Sequence, residues 1–525
     1  MTDIAPATNG SKVRLNSRAS GVGSVPHKRS PIAAALSFVT PLVSQDFLDR
    51  YGLRQPLNRG LNYGVKTVFS VAGASTRQFK KVQGLGKAPA RLSAPARSKG
   101  GDYFDLTPDD DQQMIIDTVE EFAAELLRPA AHDADEALAY PRELLGKAAE
   151  LGITAINIPE DFDGIAAHRS AVTNVLVAEA LGYGDMGLAL PILAPGGVAS
   201  ALTHWGSADQ QATYLPEFAG EKVPQACVAI VEPQPLFDPT NLKTTAVRTP
   251  SGYRLDGVKS LVVAAADAEL FIVAAQLNGK PALFIVESST PGLTVKADPS
   301  MGLRAAALGQ LELNQVSVPL SARLGEEAAT DSDYSQAIAL SRLGWAALAV
   351  GTSHAVLDHV MPYIKEREAF GEPIANRQSV AFMCANIAIE LDGLRLLTWR
   401  GASRCEQGLP FIREAALAKR IATDKGMQIG LDGVQLLGGH GYTKEHPVER
   451  WYRDLRALGV AEGVLVISMT SCSLRGSSRL IAMIRLSCSQ RSLLDVVDDS
   501  DDQDALGDTE CPQIAVPALD RVFLG

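Results

Sequence analysis

The run DGVQLLGGHGYTKEHPVERWYRD, residues 432–454, closes a long helical pattern with a Gly-Gly-x-Gly turn. Such a turn exposes backbone N–H groups and lets a ligand approach the main chain. Alone, Gly438, Gly439 and Gly441 are explained equally well as the cap that ends a helix. Two other stretches belong with it: REAFGEPIANRQ at 367–378 and GVAEGVLVI at 459–467. In the last, Glu462 is the one acidic side chain among Val460, Ala461, Val464 and Leu465. A carboxylate buried there loses solvation, and its pKa should rise.

A chain of 525 residues is too long for one core, so several domains are expected. Hydrophobic content of 46% and charged content of 21% fit a globular protein. The net charge of −11 argues against nucleic acid as the main partner. The charge is unevenly spread: residues 1–101 hold 16 Lys and Arg against 3 Asp and Glu. Six cysteines, at 227, 384, 405, 472, 488 and 511, show no CxxC spacing. Free thiols are therefore expected, with neither a zinc site nor a disulfide framework. The apolar stretch 31–44 is late and split by Pro41, which does not read as a secretory signal. The uncharged stretch 186–203 contains Pro191, Pro195, Gly196 and Gly197 and is read as too broken to span a membrane.

Residues 1–101 read as a basic, flexible extension, and a mobile solvated arm is the plain expectation. It could instead rest on an anionic membrane or on an acidic surface of its own protein. A cytoplasmic location is expected, with a mitochondrial transit segment or peripheral membrane placement as alternatives. Residues 102–221 read as a helical domain. Thr107 can cap its first helix, Pro108 suits the first helical position, and Asp109 to Asp111 favour the positive helix end. Ile115, Val119, Phe122 and Leu126 then recur at helical spacing. Residues 222–330 read as a β domain with apolar runs at 252–265, 268–277, 281–289, 293–297 and 307–319. Asn278-Gly279 is a hairpin signal between two of them. Helical period returns over 331–470, where Leu340, Leu343, Ala347, Val350, Leu357, Met361 and Ile364 form one stripe with His354 in line. Two more helical patterns follow at 379–407 and 411–437. Residues 471–525 form a divergent tail whose acidic end, DVVDDSDDQDALGD, reads as disordered.

Within this helix–strand–helix order, R-x-x-F-G-x-P-I at 367–374 and Q-x-x-G-G-x-G-Y at 435–442 resemble the signature of the acyl-CoA dehydrogenase family. The resemblance spans about 107–465. It implies an α+β multidomain fold: an N-terminal helical domain, a central β-barrel-like domain and a C-terminal four-helix bundle. It also implies FAD, a homodimer or homotetramer, and an electron-transfer flavoprotein as acceptor. The implied reaction is oxidation of an acyl-CoA to a trans-2-enoyl-CoA. By position, Arg367 matches the arginine that reaches the FAD pyrophosphate of a neighbouring subunit, a role suited to a guanidinium. Phe370 and Gln378 match cofactor-contacting positions, and Gln435, Gly438 and Gly439 match the loop that receives the adenine-diphosphate end. Arg342 matches a helix arginine near the acyl-CoA, although it could simply pair with Asp331 or Asp333. Tyr442 matches an aromatic at the edge of the substrate cavity.

Glu462 matches the family's base. In that chemistry the carboxylate takes the α-proton and flavin N5 the β-hydride, while preorganised donors stabilise the enolate-like oxygen. Apolar walls raise the carboxylate's basicity and exclude water. Some branches carry the base one residue before the helix arginine; Ser341 stands there, leaving Glu462 as the candidate.

The sequence also departs from the family. The flavin-covering T-E-P-x-x-G-S-D loop is matched by VEPQPLFDPTN, which keeps Glu232 and Pro233 but has Val231 for Thr and lacks Gly-Ser. Leu261 and Val263 replace a Trp and a hydroxyl residue that flank the flavin, and Val464 replaces the Thr after the base. Backbone N–H groups could still bind the ring. These changes keep a second reading open, a catalytically weak binding or partner subunit. A flavin oxidase or monooxygenase is a further one. The run KEHPVERWYRD reads as a solvated, salt-bridged face, with Glu449, Arg450, Arg453 and Asp454 structural. His354, His359, His440 and His446 lack metal-ligand spacing. Cys227 and the tail cysteines have no activating neighbours.

Overall fold

The computed structural model describes residues 77–84, 87–94, 108–168, 170–325 and 331–462. The tail after 462, most of the basic extension and Val464 lie outside the described residues.

Helix α1 (Asp110–Phe122) begins in a capping box. The Asp109 side chain accepts from Gln112 N at 2.7 Å, and Gln112 Oε1 accepts from Asp109 N at 3.1 Å. The cap is thus Asp109, because the glutamine three positions on closes a reciprocal pair. Thr107, expected at this place, lies outside the described residues. Ile115, Val119, Phe122 and Leu126 are all buried, as their spacing requires. One π-helical turn leads into α2 (Arg128–Ala137), followed by α3 (Glu143–Glu150), α4 (Ala171–Gly184), α5 (Met186–Trp205) and α6 (Ala208–Ala219). Helix α5 runs through both Pro191 and Pro195, where the sequence suggests a break. The carbonyl of Pro191 accepts from Gln225 Nε2 at 3.2 Å. This helix is long and apolar enough to cross a membrane, yet it is mostly buried inside the protein.

The middle of the chain is a mixed sheet. Its strands are β1 (Ala226–Ala229), β2 (Thr245–Thr249), β3 (Gly252–Val262), β4 (Leu270–Leu277), β5 (Lys280–Glu287), β6 (Leu293–Ala297), β7 (Gly309–Pro319) and β8 (Arg323–Leu324). The order is β6-β7-β3-β2-β4-β5-β8, with β1 parallel to β4, and the pairing does not close on itself. The β4–β5 hairpin turns at Asn278 and Gly279, both at positive φ, as an Asn-Gly turn allows. Strand β4 is buried on both faces, which explains its unbroken apolar run.

Helix α7 (Asp331–Glu366) follows, then the short pair β9 (Glu368–Ala369) and β10 (Glu372–Pro373), α8 (Gln378–Glu406), α9 (Ile412–Leu437) and α10 (Val448–Ala457). α7 packs closely on α4. A Cβ at Gly351 would meet the Glu179 carbonyl oxygen at 1.9 Å, so only glycine fits this crossing. Thr352 Oγ1 donates to Gly182 O at 2.9 Å across the same contact. One apolar core therefore joins the two helical blocks, and a second lies between α5, α6 and the sheet.

The described end of the basic extension is docked on the protein. Arg77 Nη1 lies 2.6 Å from Glu217 on α6, and its Nε lies 2.7 Å from Glu269 beside β4. Lys81 pairs with Glu287 on β5. Gln211 on α6 exchanges hydrogen bonds with both backbone groups of Ala90. Phe79 is buried in an edge contact with Tyr214, ring centroids 5.2 Å apart. Of the expectations for this arm, its own protein's acidic surface is the one realised at 77–94. At this described end Phe79 adds an apolar anchor that basic composition conceals. Phe79→Ala should cost about 3 kcal/mol in urea unfolding and speed proteolysis within 77–94.

Candidate active site

The chain leaves α10 in a tight turn that ends at Glu462. Val460 N and Ala461 N both donate to Ala457 O, at 3.0 and 3.1 Å. Glu462 itself sits at φ +58°, a left-handed conformation that costs a non-glycine residue energy and needs support. Lys419 on α9 supplies it. Its buried Nζ donates to Leu458 O at 2.8 Å and Ala461 O at 2.9 Å, and Thr423 Oγ1 reaches Leu458 O at 3.2 Å. Ser341 on α7 donates its hydroxyl to Glu462 Oε1. Oε2 is buried with no hydrogen-bond partner among the described residues.

Burial pushes the Glu462 carboxyl up to about 7, against the downward pull of Lys419, Arg342 and Trp345. A carboxyl poised near neutrality with one uncommitted oxygen has the form of a general base. Ser341, read from sequence only as the absence of another base, is the hydroxyl that bonds the Glu462 carboxylate.

Glu462 borders a cavity of about 530 Å³. Its walls are mainly apolar and come from α4, α5, the α7 face bearing Leu340, Ser341, Gly344 and Trp345, and the sheet edges at 227–231 and 260–263. Arg342 is buried beside Glu462 and acts on its charge, but it does not line the cavity.

A second cleft gathers most of the other predicted residues. Arg367, Phe370, Gln435, Gly438 and Gly439 line it, with Tyr363 and His440. Gly438 has φ +58°, and a Cβ at Gly438 or Gly439 would meet nothing within 4 Å, so a ligand can come to this backbone. Phe370 is 96% exposed with the Arg377 guanidinium 5.6 Å from its ring centre. Gln378 opens α8 next to the cleft and is exposed, but does not line it. Tyr442 is 91% exposed and does not reach the cavity of its own chain. Gly441 packs on Val434, which turns the following residue outward. From Ser341 to Arg367, α7 advances about 39 Å at 1.5 Å per residue. The cavity and the cleft of one chain therefore lie far apart.

The altered loop of the β domain is tied down from within. Glu232 accepts from Lys259 Nζ at 2.8 Å, Lys243 N at 2.7 Å and Thr244 N at 2.9 Å. Burial pushes its carboxyl up, but Lys259 and these donors outweigh burial and hold it below the ordinary value. Lys259 is fully buried and is lowered to about 8 by that burial, against the pull of Glu232. Val231, Leu261 and Val263 line the cavity without hydroxyls, and Ser260 Oγ is committed to Asp298 at 2.5 Å. Such walls offer apolar contact to a flat ring and leave polar contacts to the main chain.

The run 444–454 is not the solvated face its composition suggests. Arg450 is buried against Asp185 at 2.9 Å, and Arg453 grips Asp135 with both terminal nitrogens at 3.0 and 2.9 Å. Asp454 accepts from Leu303 N at 2.6 Å. These residues are structural, as read, but they fasten α10 inward to α2, α5 and the segment before β7. His359 and His446 bond to each other at 2.9 Å. Among the described residues no cluster of His, Cys, Asp and Glu is arranged to hold a metal. Cys227 is buried, and burial pushes its thiol well up, which makes it inert.

Comparison with known proteins gives this arrangement a family. The acyl-CoA dehydrogenase N-terminal, middle and C-terminal domain models match residues 109–222, 227–316 and 333–471. The chain belongs to the acyl-CoA dehydrogenase family. It is 31% identical over 363 residues to the mitochondrial short-chain specific acyl-CoA dehydrogenase of Bos taurus, covering 67% of this chain and 86% of that one. The short-chain specific enzyme of Megasphaera elsdenii is 30% identical, over 69% of this chain and 96% of that one. The solved butyryl-CoA dehydrogenase of Megasphaera elsdenii superposes with a TM-score of 0.66 at 28% identity, over 70% of this chain and 99% of that one. The FAD complex of PigA gives 0.66 at 27%, over 71% and 100%.

Lys259→Met should leave Glu232 buried without its cation. Breaking a buried pair in this way costs about 3–5 kcal/mol, measurable as a lower urea midpoint at neutral pH. Without Lys259 the main downward pull on Glu232 is gone, so its carboxyl protonates at a higher pH than in the wild type, and the penalty should shrink as pH falls from neutrality into the acid range.

Proposed function

We propose that the protein is an FAD-dependent dehydrogenase that removes the α- and β-hydrogens of an acyl-CoA thioester to give a trans-2-enoyl-CoA. The observation that carries this reading is Glu462: a carboxylate in an apolar cavity, one oxygen held by Ser341 and the other uncommitted. Bound FAD supplies the two-electron acceptor for the β-hydride. Glu462 takes the α-proton, and the apolar walls exclude the water that would otherwise solvate and blunt the base. Arg367, Gln435, Gly438 and Gly439 would hold the diphosphate end of the cofactor, and the cavity its ring.

The separation along α7 supports a homo-oligomer. With the Ser341 end of the cavity about 39 Å along α7 from the Arg367 cleft, we read the cleft as serving a partner's cavity. Phe382, Ile389 and Leu396, each seven residues apart on α8, are exposed together with Leu431 on α9. Such an apolar row suits a second copy of this chain. An electron-transfer flavoprotein is the proposed re-oxidant. A solved structure of the electron transferring flavoprotein of Acidaminococcus fermentans is similar to this chain, with a TM-score of 0.66 at 30% identity over 71% of this chain and 100% of that one.

We further propose an acyl group larger than butyryl. Gly196, Gly197 and Gly344 line the cavity, and a Cβ at any of them would meet nothing within 4 Å. Gly344→Leu should lower kcat/KM for long acyl-CoAs more than for butyryl-CoA.

The test of the reaction is anaerobic bleaching of the flavin absorbance by a panel of acyl-CoAs. Glu462→Gln should retain flavin and slow bleaching about 10²–10⁴-fold. In the wild type the rate should rise with pH through about 7, as Glu462 ionises. A protein that takes up no FAD, or a Glu462→Gln variant that bleaches at the wild-type rate, would overturn the reading. Activity that emerges only with a second family chain would favour a partner subunit.

A further inference from the structure

The structure assigns Lys419 as a positioning residue for the base, one that fixes the turn carrying Glu462 and sets the pH at which Glu462 becomes ionised. This deepens the proposed dehydrogenase reading and rests on Glu462 being its base. Lys419 projects from α9 into a site from which water is excluded. Burying an ammonium is costly unless its protons are taken up. Two are, by Leu458 O at 2.8 Å and Ala461 O at 2.9 Å. Those carbonyls bracket the turn that delivers Glu462, so the cation is bonded to the backbone of the base rather than to its carboxylate. The Trp345 ring, whose centre lies 5.5 Å from Nζ, closes another side.

This arrangement separates attraction from neutralisation. A lysine paired directly with Glu462 would occupy the oxygen needed for proton abstraction. Held one turn back, Lys419 stabilises the carboxylate through space and leaves Oε2 uncommitted. Among the described residues, the other charged and titratable groups that act on the pair are Arg342 and Tyr334, both from α7. Arg342 also pulls Glu462 down, and burial keeps Tyr334 protonated and neutral. Ser341 and Trp345 complete the α7 side without charge. Burial brings Lys419 down to about 8, against the pull of Glu462, so the charge of each group bears on the ionisation of the other.

Three variants separate the charge of Lys419 from its hydrogen bonds. Lys419→Gln keeps donors for the two carbonyls and removes the charge. Lys419→Arg keeps both, and Lys419→Met removes both. The readout is difference infrared titration of the Glu462 carboxyl in the full-length protein, with Glu462→Gln as the subtraction reference. It requires no turnover, so it tests Lys419 even if flavin bleaching were to sink the dehydrogenase reading.

In Lys419→Gln the Glu462 midpoint should rise by one pH unit or more, a tenfold or greater change in proton affinity. The acidic limb of flavin bleaching should move with it. Lys419→Arg should return both toward wild type. Should Lys419→Met fail to fold, Lys419→Gln alone decides the matter. A Glu462 midpoint unchanged in Lys419→Gln would overturn the assignment and leave Lys419 a purely structural donor. So would a Lys419→Arg variant that folds but keeps the raised midpoint.

Discussion

A base must be ionised to act, and it must be dry to be strong. These demands conflict, because burial drives a carboxyl toward its neutral form. Around Glu462, the proposed base, the fold places charge that leaves Oε2 uncommitted. Ser341 bonds one oxygen, while Lys419 and Arg342 act from behind the turn and from α7. Everything that places these groups is helical. α7 brings Ser341, Arg342 and Trp345; α9 brings Lys419; α10 ends in the turn that carries Glu462. α10 can do this only because Arg450, Arg453 and Asp454 bind it to the N-terminal helices and to the segment before β7.

The same helix α7 imposes the quaternary logic. It is one unbroken element of 36 residues, with the base near its first third and the Arg367 cleft at its far end. A rigid helix cannot fold back to bring its ends together. On the proposed reading, each chain offers half of a cofactor site to a neighbour and borrows the other half. This explains why Phe370 and the apolar row on α8 stand exposed in a single chain.

Much of this was legible in sequence because it rests on periodicity and local turn chemistry. The helical stripes, the β4–β5 hairpin at Asn278-Gly279 and the helix–strand–helix order depend on residues near one another in the chain. Glu462, the proposed base, stood out by its surroundings, one acid in an apolar run, together with the family signature. What was hidden depends on distant pairs. Lys419 lies 43 positions before Glu462 inside an ordinary amphipathic helix, and no local pattern marks a lysine that will be buried. The run 444–454 looked solvated because composition cannot show that Asp185 and Asp135 await its arginines. Phe79 was lost in a basic segment for the same reason. Tyr442 shows the converse. Its motif position was clear, but the packing of Gly441 on Val434 decides where it points.

The altered β-domain loop bears on how much a motif can lose. The loop's Glu232 does not face a ligand; it is spent on Lys259 and on the backbone of 243 and 244. That internal bond is what holds the loop, and both partners survive in this sequence. Leu261 shows how the wall is kept without the hydroxyls that the family places there. Its backbone takes a left-handed φ of +53°, and its N–H is fixed by Asp298 at 2.8 Å. Asp298 also takes the Ser260 hydroxyl. The segment is thus positioned by a carboxylate from behind, and side chains facing the cavity are free to be apolar. An apolar lining binds a flat ring through contact area rather than through directed hydrogen bonds. The changes at Val231, Leu261 and Val263 therefore make this cavity wall less polar while leaving intact the scaffold that shapes it.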